Sequence, residues 1–311
     1  MNEQETVKLP VPIPAPPVGN VVVNATPASI PMDYAMMGVK SGYKAKPAED
    51  LNLYIKGPAG EGKSTFLASI PDTLILDIED SVEHIPNKRA NWLVINSYEQ
   101  WVQITDKLIA DGTAGLRKWK RIGIDSSDEL GALVARQICK EKQVEDISDY
   151  KSEGAGYGLI YVRVMQTIRK LEDAGYAWAI TGHITEREVV SPVTKQKTTA
   201  LRAAAYPGLI GQILNRCEFD ATIYNIVSEE VKTKKVKINI PGQGEREIDQ
   251  PMPAERVEHY YFDCASIAGQ QGKKRGVAGN MKTKFELPAI GGWDVFVKEY
   301  NQAIQKGVKV V

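Results

Sequence analysis

One segment of the sequence combines the residue types and the spacing that bind a phosphate chain. Residues 57–64 read GPAGEGKS and match the pattern G-x-x-x-x-G-K-[ST]. The glycines let backbone N–H groups curl around phosphate oxygens, and the lysine can reach the β and γ phosphates. The segment predicts a site for ATP and Mg²⁺. It assigns to nucleotide binding Gly57, Pro58, Ala59, Gly60, Glu61, Gly62, Lys63, Ser64 and the adjacent Thr65.

A metal-binding acid is expected on a later strand. The apolar run RIGID ends in Asp125, and in enzymes with this loop such an aspartate holds Mg²⁺, usually through water. An ordinary strand-end aspartate is the alternative. Together with the hydroxyl of Ser64, which the loop pattern assigns to the metal, Asp125 forms the predicted Mg²⁺ site.

Hydrolysis also needs a group that orients or deprotonates water. Glu79 lies near the end of TLILDIED, and Glu129 lies four residues after Asp125. Asp77 and Asp80 flank Glu79, and any of these acids can simply solvate a strand end. The sequence favours Glu79 and leaves Glu129 as the second candidate.

A histidine closes a further apolar run. AWAITGH ends in His183, which near a nucleotide could donate a hydrogen bond to the γ-phosphate. It could then report hydrolysis to the loop that follows. A structural role for a single histidine is an equally good interpretation.

These candidates lie at the ends of short apolar runs that alternate with amphipathic segments. The alternation predicts an α/β fold, in which a mainly parallel sheet is covered by helices on both faces. The predicted strands are LNLYIKG, TLILDIED, NWLVI, RIGID, YAWAITGHI and FDATIYNIV. The predicted helices are STFLASI, SYEQWVQITDKLIAD, SDELGALVARQICKEK, LIYVRVMQTIRKLEDAG, LIGQILNRC and WDVFVKEYNQAIQKG.

Composition narrows the class of protein. Lys+Arg and Asp+Glu each number 39, so no overall basic charge points to nucleic acid. The three cysteines are scattered without a CxxC pair, which argues against a zinc site or a disulfide framework and fits a reducing cytoplasm. No apolar run reaches transmembrane length and the first residues lack a signal-peptide pattern, so we expect a cytoplasmic protein without a membrane partner.

The composition also predicts a domain organisation. Residues 1–48 contain LPVPIPAPPVGN and are expected to form a disordered, proline-rich arm. A core is expected over residues 49–227, a basic β-ribbon extension over residues 228–285, and a C-terminal helix packing on the core over residues 286–311. A passive arm is favoured over one that docks a partner.

The motifs GPAGEGKST, LILDIED, IDSS and ITGH together resemble the RecA-like branch of P-loop ATPases. More closely, they resemble the core-only RecA-like ATPases of bacteriophages that are linked to single-strand annealing and recombination. The resemblance covers about residues 50 to 225. It implies a glutamate after the second strand at Glu79, a metal aspartate at Asp125 followed by Ser126, and a polar sensor at His183.

The resemblance also implies partners. It suggests DNA-stimulated hydrolysis, binding of single-stranded DNA, and a homo-oligomeric ring or filament in which a neighbour's Arg202 or Arg216 completes the site. It further suggests a single-strand-binding or other replication or recombination protein on the arm, and the host cytoplasm as location. Charge alone favours ordinary solvated loops, because acids lie nearby. The candidate DNA contacts are Arg187, Lys195, Lys197, Arg202, Lys234 and Lys235.

Three functions follow from these observations. The first is a DNA-dependent ATPase of recombination or single-strand annealing. The second is an NTP-dependent switch or assembly protein that binds a protein partner with little turnover. A small-molecule kinase ranks last, because the sequence has no lid-like arginine cluster between helices.

Overall fold

The computed structural model describes residues 45–151, 154–190, 197–203, 206–240, 244–264, 273–274 and 281–307. The chain divides into two units, Met1–Lys44 and Ala45–Val311, and every described residue lies in the second. The predicted arm over residues 1–48 therefore lies outside the described residues, except for residues 45–48. Lys195, one of the candidate DNA contacts, also lies outside them.

The strands form where the sequence predicts apolar runs, and additional strands follow in the C-terminal half. Their bounds are β1 Leu53–Gly57, β2 Thr73–Asp77, β3 Asn91–Val94, β4 Arg121–Asp125, β5 Ala177–Val190, β6 Lys197–Ala203, β7 Phe219–Glu230, β8 Thr233–Ile240, β9 Gly244–Pro251, β10 Glu255–Asp263, β11 Lys273–Lys274 and β12 Lys284–Leu287.

The helices follow the predicted amphipathic segments. Their bounds are α1 Lys63–Ala68, α2 Tyr98–Thr113, α3 Ser127–Lys142, α4 Ala155–Asp173, α5 Pro207–Arg216 and α6 Trp293–Gly307. None of the helices in the described part of the chain is both long and apolar enough to cross a bilayer.

The main sheet has the strand order β3-β2-β4-β5-β1-β7-β10-β12. The strands from β3 to β7 are parallel, and β10 and β12 are antiparallel to their neighbours. The register pairs Gly57 with His183 and Asp77 with Asp125. The residues predicted for catalysis and metal binding at these strand ends therefore lie at the carboxyl edge of the parallel strands, where ligands bind in open α/β sheets.

Both faces of the sheet are covered, as predicted for this α/β fold. Successive residues of a strand point to opposite faces, and Tyr54 joins one core while Leu53 and Ile55 join the other. The first core contains residues of α2, α3, α4 and α5, and the second contains residues of α1 and α6. A doubly covered parallel sheet explains why its strands are almost entirely apolar.

The C-terminal residues complete the second core. Phe296 of α6 packs edge-on against Phe219 at a centroid distance of 5.2 Å, and it lies 5.4 Å from Phe262 of β10. Residues 228–285 do not stand wholly apart from this core. β10 pairs with β7 and β12 within the main sheet, whereas β8 and β9 form a separate two-stranded ribbon.

Two strands extend beyond the sheet on either side of β1. β5 runs from its pairing with β1 into an antiparallel hairpin with β6, which begins at Ile184. β7 runs from its pairing with β1 into an antiparallel ladder with β10. Both neighbours of the strand that leads into the phosphate loop therefore continue into hairpins or ladders at the carboxyl edge.

Candidate functional site

The phosphate loop joins the end of β1 to the start of α1. Gly60 and Gly62 have φ values of 80° and 88°, a left-handed conformation that glycine adopts without steric cost. Gly57 lies so close to β7 that a Cβ atom there would stand 2.2 Å from the carbonyl oxygen of Ile223. Glycine is therefore required at the start of the loop by packing and later in the loop by backbone conformation.

Lys63 begins α1 and lies inside the loop. Its side chain is buried, and Nζ donates a hydrogen bond to the carbonyl oxygen of Pro58 at 2.6 Å. Burial lowers the pKa of the Lys63 amine, while the charges of Asp125 and Glu79 act in the opposite direction. The amine is held at the centre of the loop, where a phosphate chain would be bound.

Several hydroxyl and carboxylate oxygen atoms that could bind a cation lie between the loop and β4. The Ser81 hydroxyl donates to Asp125 Oδ2 at 3.0 Å and lies 3.4 Å from the hydroxyl oxygen of Ser64. The Thr181 hydroxyl donates to the other oxygen of Asp125. Hydroxyl and carboxylate oxygens are the ligands that Mg²⁺ prefers, usually together with water and substrate phosphates. This set of oxygen atoms therefore fits Mg²⁺, and it includes Ser64 and Asp125, the two residues that the sequence predicts for the metal.

No group of three or more His, Cys, Asp or Glu side chains arranged for a metal occurs among the described residues.

Asp77, at the end of β2, shapes the neighbouring turn. It is fully buried and accepts hydrogen bonds from the backbone N–H groups of Val82 at 2.9 Å and Ser81 at 3.3 Å. Burial raises its pKa, against the effect of these two hydrogen bonds. Asp77 thereby places Ser81 beside Asp125 and is a structural acid rather than a candidate base.

Glu79 and His183 meet beside the loop. His183 Nδ1 lies 3.4 Å from Glu79 Oε1, and the Ser126 hydroxyl donates a hydrogen bond to the same carboxylate oxygen. The Asp125–Ser126 peptide bond is cis. Burial raises the pKa of Glu79, with the Ser126 hydrogen bond opposing the shift. A carboxylate whose pKa is raised in this way is a better proton acceptor than an exposed one.

Asp128 lies on the other side of His183. Its Oδ2 accepts a hydrogen bond from the backbone N–H of His183 at 2.7 Å and lies 3.5 Å from Nδ1 of the ring. The pKa of His183 is raised, first by its hydrogen bond to Asp128, although burial and the charge of Lys63 oppose the shift. The ring therefore lies between two carboxylates.

One cavity of about 330 Å³ brings together most of the residues that the sequence predicts for nucleotide binding and hydrolysis. It is lined by Ala59, Gly60, Glu61, Gly62, Lys63, Ser64, Thr65, Glu79, Ser81, Ile85, His183, Tyr260 and Ala289. The structure thus collects the phosphate loop, one of the two candidate glutamates and the candidate sensor in a single space.

The structure does not bring Glu129 to this cavity. Glu129 is exposed on α3 and does not line the cavity, and its charge contributes to the raised pKa of Tyr206. Asp128, one residue earlier on the same helix, is buried and takes the position facing His183. Adjacent residues of a helix point about 100° apart, so only one of the two can face the site.

The C-terminal half contacts the loop directly. The Glu61 carboxylate accepts a hydrogen bond from the backbone N–H of Asn225 on β7. A Cβ atom at Gly62 would lie 3.3 Å from the ring of Tyr260 on β10. The loop is therefore held against the β7–β10 ladder.

The basic candidates fall on two hairpins with different charge patterns. In the β5–β6 register, Arg187 pairs with Ala200 and Arg202 pairs with Thr185. The two arginine positions belong to one face of the hairpin, because positions two apart on a strand share a face. Lys197, paired with Val190, belongs to the opposite face, as do Glu186 and Glu188.

On the β8–β9 ribbon, Lys235 lies directly opposite Asp249, and Lys237 lies opposite Glu247. Opposite charges at directly paired positions compensate each other. Lys234 is exposed and pairs with Gln250. The ribbon is therefore less basic than its lysine-rich sequence suggests.

Arg216 lies away from the loop. It ends α5 and forms an ion pair with Glu172 near the amino edge of the sheet. Both residues line a polar cavity of about 530 Å³ together with Asn52 and Glu218. A role for Arg216 at a neighbouring subunit's site stays a prediction.

Sequence reasoning missed two residues of the site and gave a third no contact with Asp125. Ser81 directly follows LDIED, and Asp128 stands in the first turn of a helix, where acids are common. Thr181 belongs to the ITGH motif, which the sequence relates to the sensor rather than to Asp125. The signal for each was its nearness in sequence to a motif residue. Which of these polar residues face inward depends on the turn and helix geometry.

Comparison with known families gives one match. A family model described as an AAA domain matches residues 49–237, which is more than half of the 311 residues. Comparison with curated proteins gives no match. The matched segment contains the phosphate loop, Glu79, Asp125 and His183, whereas Tyr260 and Ala289 of the cavity lie beyond it.

Proposed function

This chain belongs to the AAA domain family, and we propose that it hydrolyses ATP with Mg²⁺ and couples the reaction to single-stranded DNA. The proposed process is DNA recombination or single-strand annealing, in the cytoplasm, by a ring or filament of identical subunits. The single observation that carries the nucleotide part is the cavity that gathers Lys63, Ser64, Glu79 and His183 around the phosphate loop.

The residues divide the chemistry among them. The Lys63 amine and the loop N–H groups bind the β and γ phosphates, so the lysine must leave the carbonyl of Pro58. Ser64 would hold Mg²⁺ directly and Asp125 would hold its water shell, and the ion supplies charge neutralisation when bound. Ser81 and Thr181 fix both oxygens of Asp125.

Glu79 is the proposed proton acceptor. Its carboxylate lines the cavity and is oriented by the Ser126 hydroxyl. It would take a proton from water as the water oxygen attacks the γ-phosphate, and the bond from that phosphate to the ADP leaving group breaks. His183 lines the same cavity beside Glu79, and in this proposal it would donate to a γ-phosphate oxygen.

The coupling to DNA is proposed through the β5–β6 hairpin. β5 is continuous from its pairing with the phosphate-loop strand, through His183, into the hairpin. Arg187 and Arg202 share one face of that hairpin without the acids at positions 186 and 188. Positive groups on one face suit a phosphate backbone, and such binding weakens with salt.

A nucleotide-dependent switch with little turnover is the second candidate. It is favoured by the contacts of Glu61 with Asn225 and of Gly62 with Tyr260. Through these contacts, a change of the loop would reach the β7–β10 ladder without any DNA. In this second candidate function, the N-terminal arm would bind a protein partner.

The test is ATP hydrolysis with and without single-stranded DNA, for the wild type and Lys63→Ala. We expect DNA to raise the wild-type rate. The variant should hydrolyse ATP about 10²–10³-fold more slowly, because it lacks the positive charge that Lys63 would hold against the transferred phosphate. A Lys235→Ala control should keep the DNA effect, whereas Arg187→Ala/Arg202→Ala should lose it. Tight ATP binding without turnover, with or without DNA, would favour the switch.

A further inference from the structure

Asp128 is a buried acid outside the cavity that nevertheless holds a residue lining it. It is 9% exposed and does not line the nucleotide cavity, whereas His183 does. One carboxylate oxygen, Oδ2, faces both the backbone N–H and the ring Nδ1 of His183. Asp128 therefore fixes the main chain and the ring of the candidate sensor together.

The register explains why this contact exists. β5 pairs with β4 only as far as Ile124 and Ile180, because β4 ends at Asp125 and the chain turns into α3. Beyond that point β4 no longer lies beside β5, and the partly buried backbone N–H of His183 needs another acceptor. The first turn of α3 supplies the Asp128 carboxylate in place of the missing strand.

The contact also lies where β5 changes role. Gly57 pairs with His183 on one side, and the pairing with β6 begins at Ile184. His183 is thus the last residue of the sheet before the hairpin. A group that fixes its backbone fixes the root of the hairpin to the helix that follows Asp125.

We infer that Asp128 is a positioning residue, which sets the ring of His183 towards the nucleotide cavity and anchors the hairpin root to α3. This inference rests on the proposed function for its kinetic consequence, but the contact itself does not. Among the side chains that the structure describes, the charged groups that act on His183 are Asp128 from α3, Glu79 from the turn after β2, and Lys63 from α1.

The alternative is an ordinary structural role, in which Asp128 stabilises the helix N-terminus as any acid in a first turn does. Glu129 offers a matched control, because it stands in the same first turn but is exposed and does not line the cavity. Helix stabilisation alone predicts similar effects for Asp128→Asn and Glu129→Gln. Positioning predicts effects for Asp128→Asn only.

The experiment has two readouts on the full chain. The first is ¹⁵N–¹H NMR of the imidazole rings, which is tractable because the sequence has three histidines. His183→Gln assigns the His183 signals. We expect Asp128→Asn to lower the His183 titration midpoint and shift its ring signals, and Glu129→Gln to leave both unchanged.

The second readout is steady-state ATP hydrolysis. We expect Asp128→Asn to lower kcat by on the order of tenfold while KM for ATP stays within about twofold of the wild type. Coupling between two positions in a protein typically has an effect of about this size. Asp128→Glu, which keeps the charge, should recover part of the rate. Glu129→Gln should match the wild type.

Each outcome decides something. Unchanged His183 signals in Asp128→Asn overturn the inference, whatever the kinetics show. If Asp128→Asn shifts the His183 signals but the wild type does not hydrolyse ATP, the contact is upheld and the result counts against the proposed function. Shifted signals with wild-type kcat and KM reduce Asp128 to a structural contact and overturn its positioning role.

Discussion

Glu79 and His183, which follow two different strands, meet at the nucleotide cavity with 3.4 Å between Oε1 and Nδ1. β4 lies between β2 and β5 in the sheet, and the acid after β2 reaches past its end to the histidine that ends the sheet portion of β5. The meeting gives the candidate base and the candidate sensor a shared hydrogen-bonding environment with Ser126. Changing either residue should therefore be felt by the other.

The choice between the two glutamates can be tested with a matched pair. We expect Glu79→Gln to lower kcat for ATP hydrolysis by about 10²–10⁴-fold, the usual contribution of a general base. ATP affinity should remain, because the amide keeps the shape of the side chain. Glu129→Gln should retain wild-type kcat, since Glu129 is exposed and does not line the cavity. Equal losses for both variants would contradict the assignment of Glu79.

The hydroxyl groups on Asp125 make a prediction about Mg²⁺. Ser81→Ala and Thr181→Val each remove one hydrogen bond to the carboxylate, and loss of such a partner costs metal sites about 10–100-fold in affinity. We expect both variants to need more Mg²⁺ for half-maximal ATP binding, as measured by titration with a fluorescent ATP analogue. Ser148→Ala, an exposed serine remote from the loop, is the control. An unchanged Mg²⁺ requirement would remove Asp125 from the metal site.

The raised pKa of His183 predicts a pH dependence of stability. Its folded pKa lies above the ordinary 6.5, so the protonated ring stabilises the folded state fully below pH 6.5. This contribution is lost as pH rises through the folded pKa. Glu79 also has a raised pKa, and its contribution likewise decreases as pH rises above the ordinary 4.5, so the effect of the histidine is read from the difference between the wild type and a His183 variant.

Urea unfolding without nucleotide or Mg²⁺ measures this effect. We expect the unfolding free energy of the wild type to fall as pH rises above 6.5, and that of His183→Gln to fall less over the same range. Glu129→Gln should follow the wild type. Parallel curves for wild type and His183→Gln would show that the ring is not held by its two carboxylates.

Most strands and helices of the fold could be predicted from the sequence, because the apolar patterns that indicate them are local. Apolar runs such as RIGID and helical segments such as SDELGALVARQICKEK match β4 and α3 closely. A doubly covered parallel sheet makes each strand a continuous apolar run, which is visible without knowledge of its neighbours. The antiparallel pairing of β10 with β7 and β12 depends on contacts distant in sequence, so the sequence predicts a basic β-ribbon extension over residues 228–285 without showing which strand β10 joins.

The site was predictable only where a motif fixes the spacing. Lys63 and Ser64 are positioned by the loop itself, and Asp125 by the end of its strand. The choice of Asp128 over Glu129 depends on the rotation of α3 about its axis, which a single residue in the sequence does not reveal. Ser81 is placed by backbone hydrogen bonds to the buried Asp77, and no spacing rule encodes that turn.

Two glycines near the start of α4 provide a prediction about packing. A Cβ atom at Gly156 would lie 2.2 Å from the carbonyl oxygen of Ile147 and 2.8 Å from its Cγ1. Gly158, on the same helix, has open space, with its nearest neighbour, the Tyr161 hydroxyl oxygen, at 3.8 Å. The two positions share a helix and differ in what surrounds them.

We expect Gly156→Ala to destabilise the fold by about 1–3 kcal/mol, because the methyl group forces α4 away from the turn that contains Ile147. Gly158→Ala should stabilise it by about 0.5–1 kcal/mol, since alanine loses less backbone entropy on forming a helix. Urea unfolding at constant pH measures both. Stabilisation by both alanines would mean that α4 does not pack against residues 147–149 as closely as the structure places it. Because α4 packs against α3, which carries Asp128, the Gly156→Ala variant should also be checked for its nucleotide affinity.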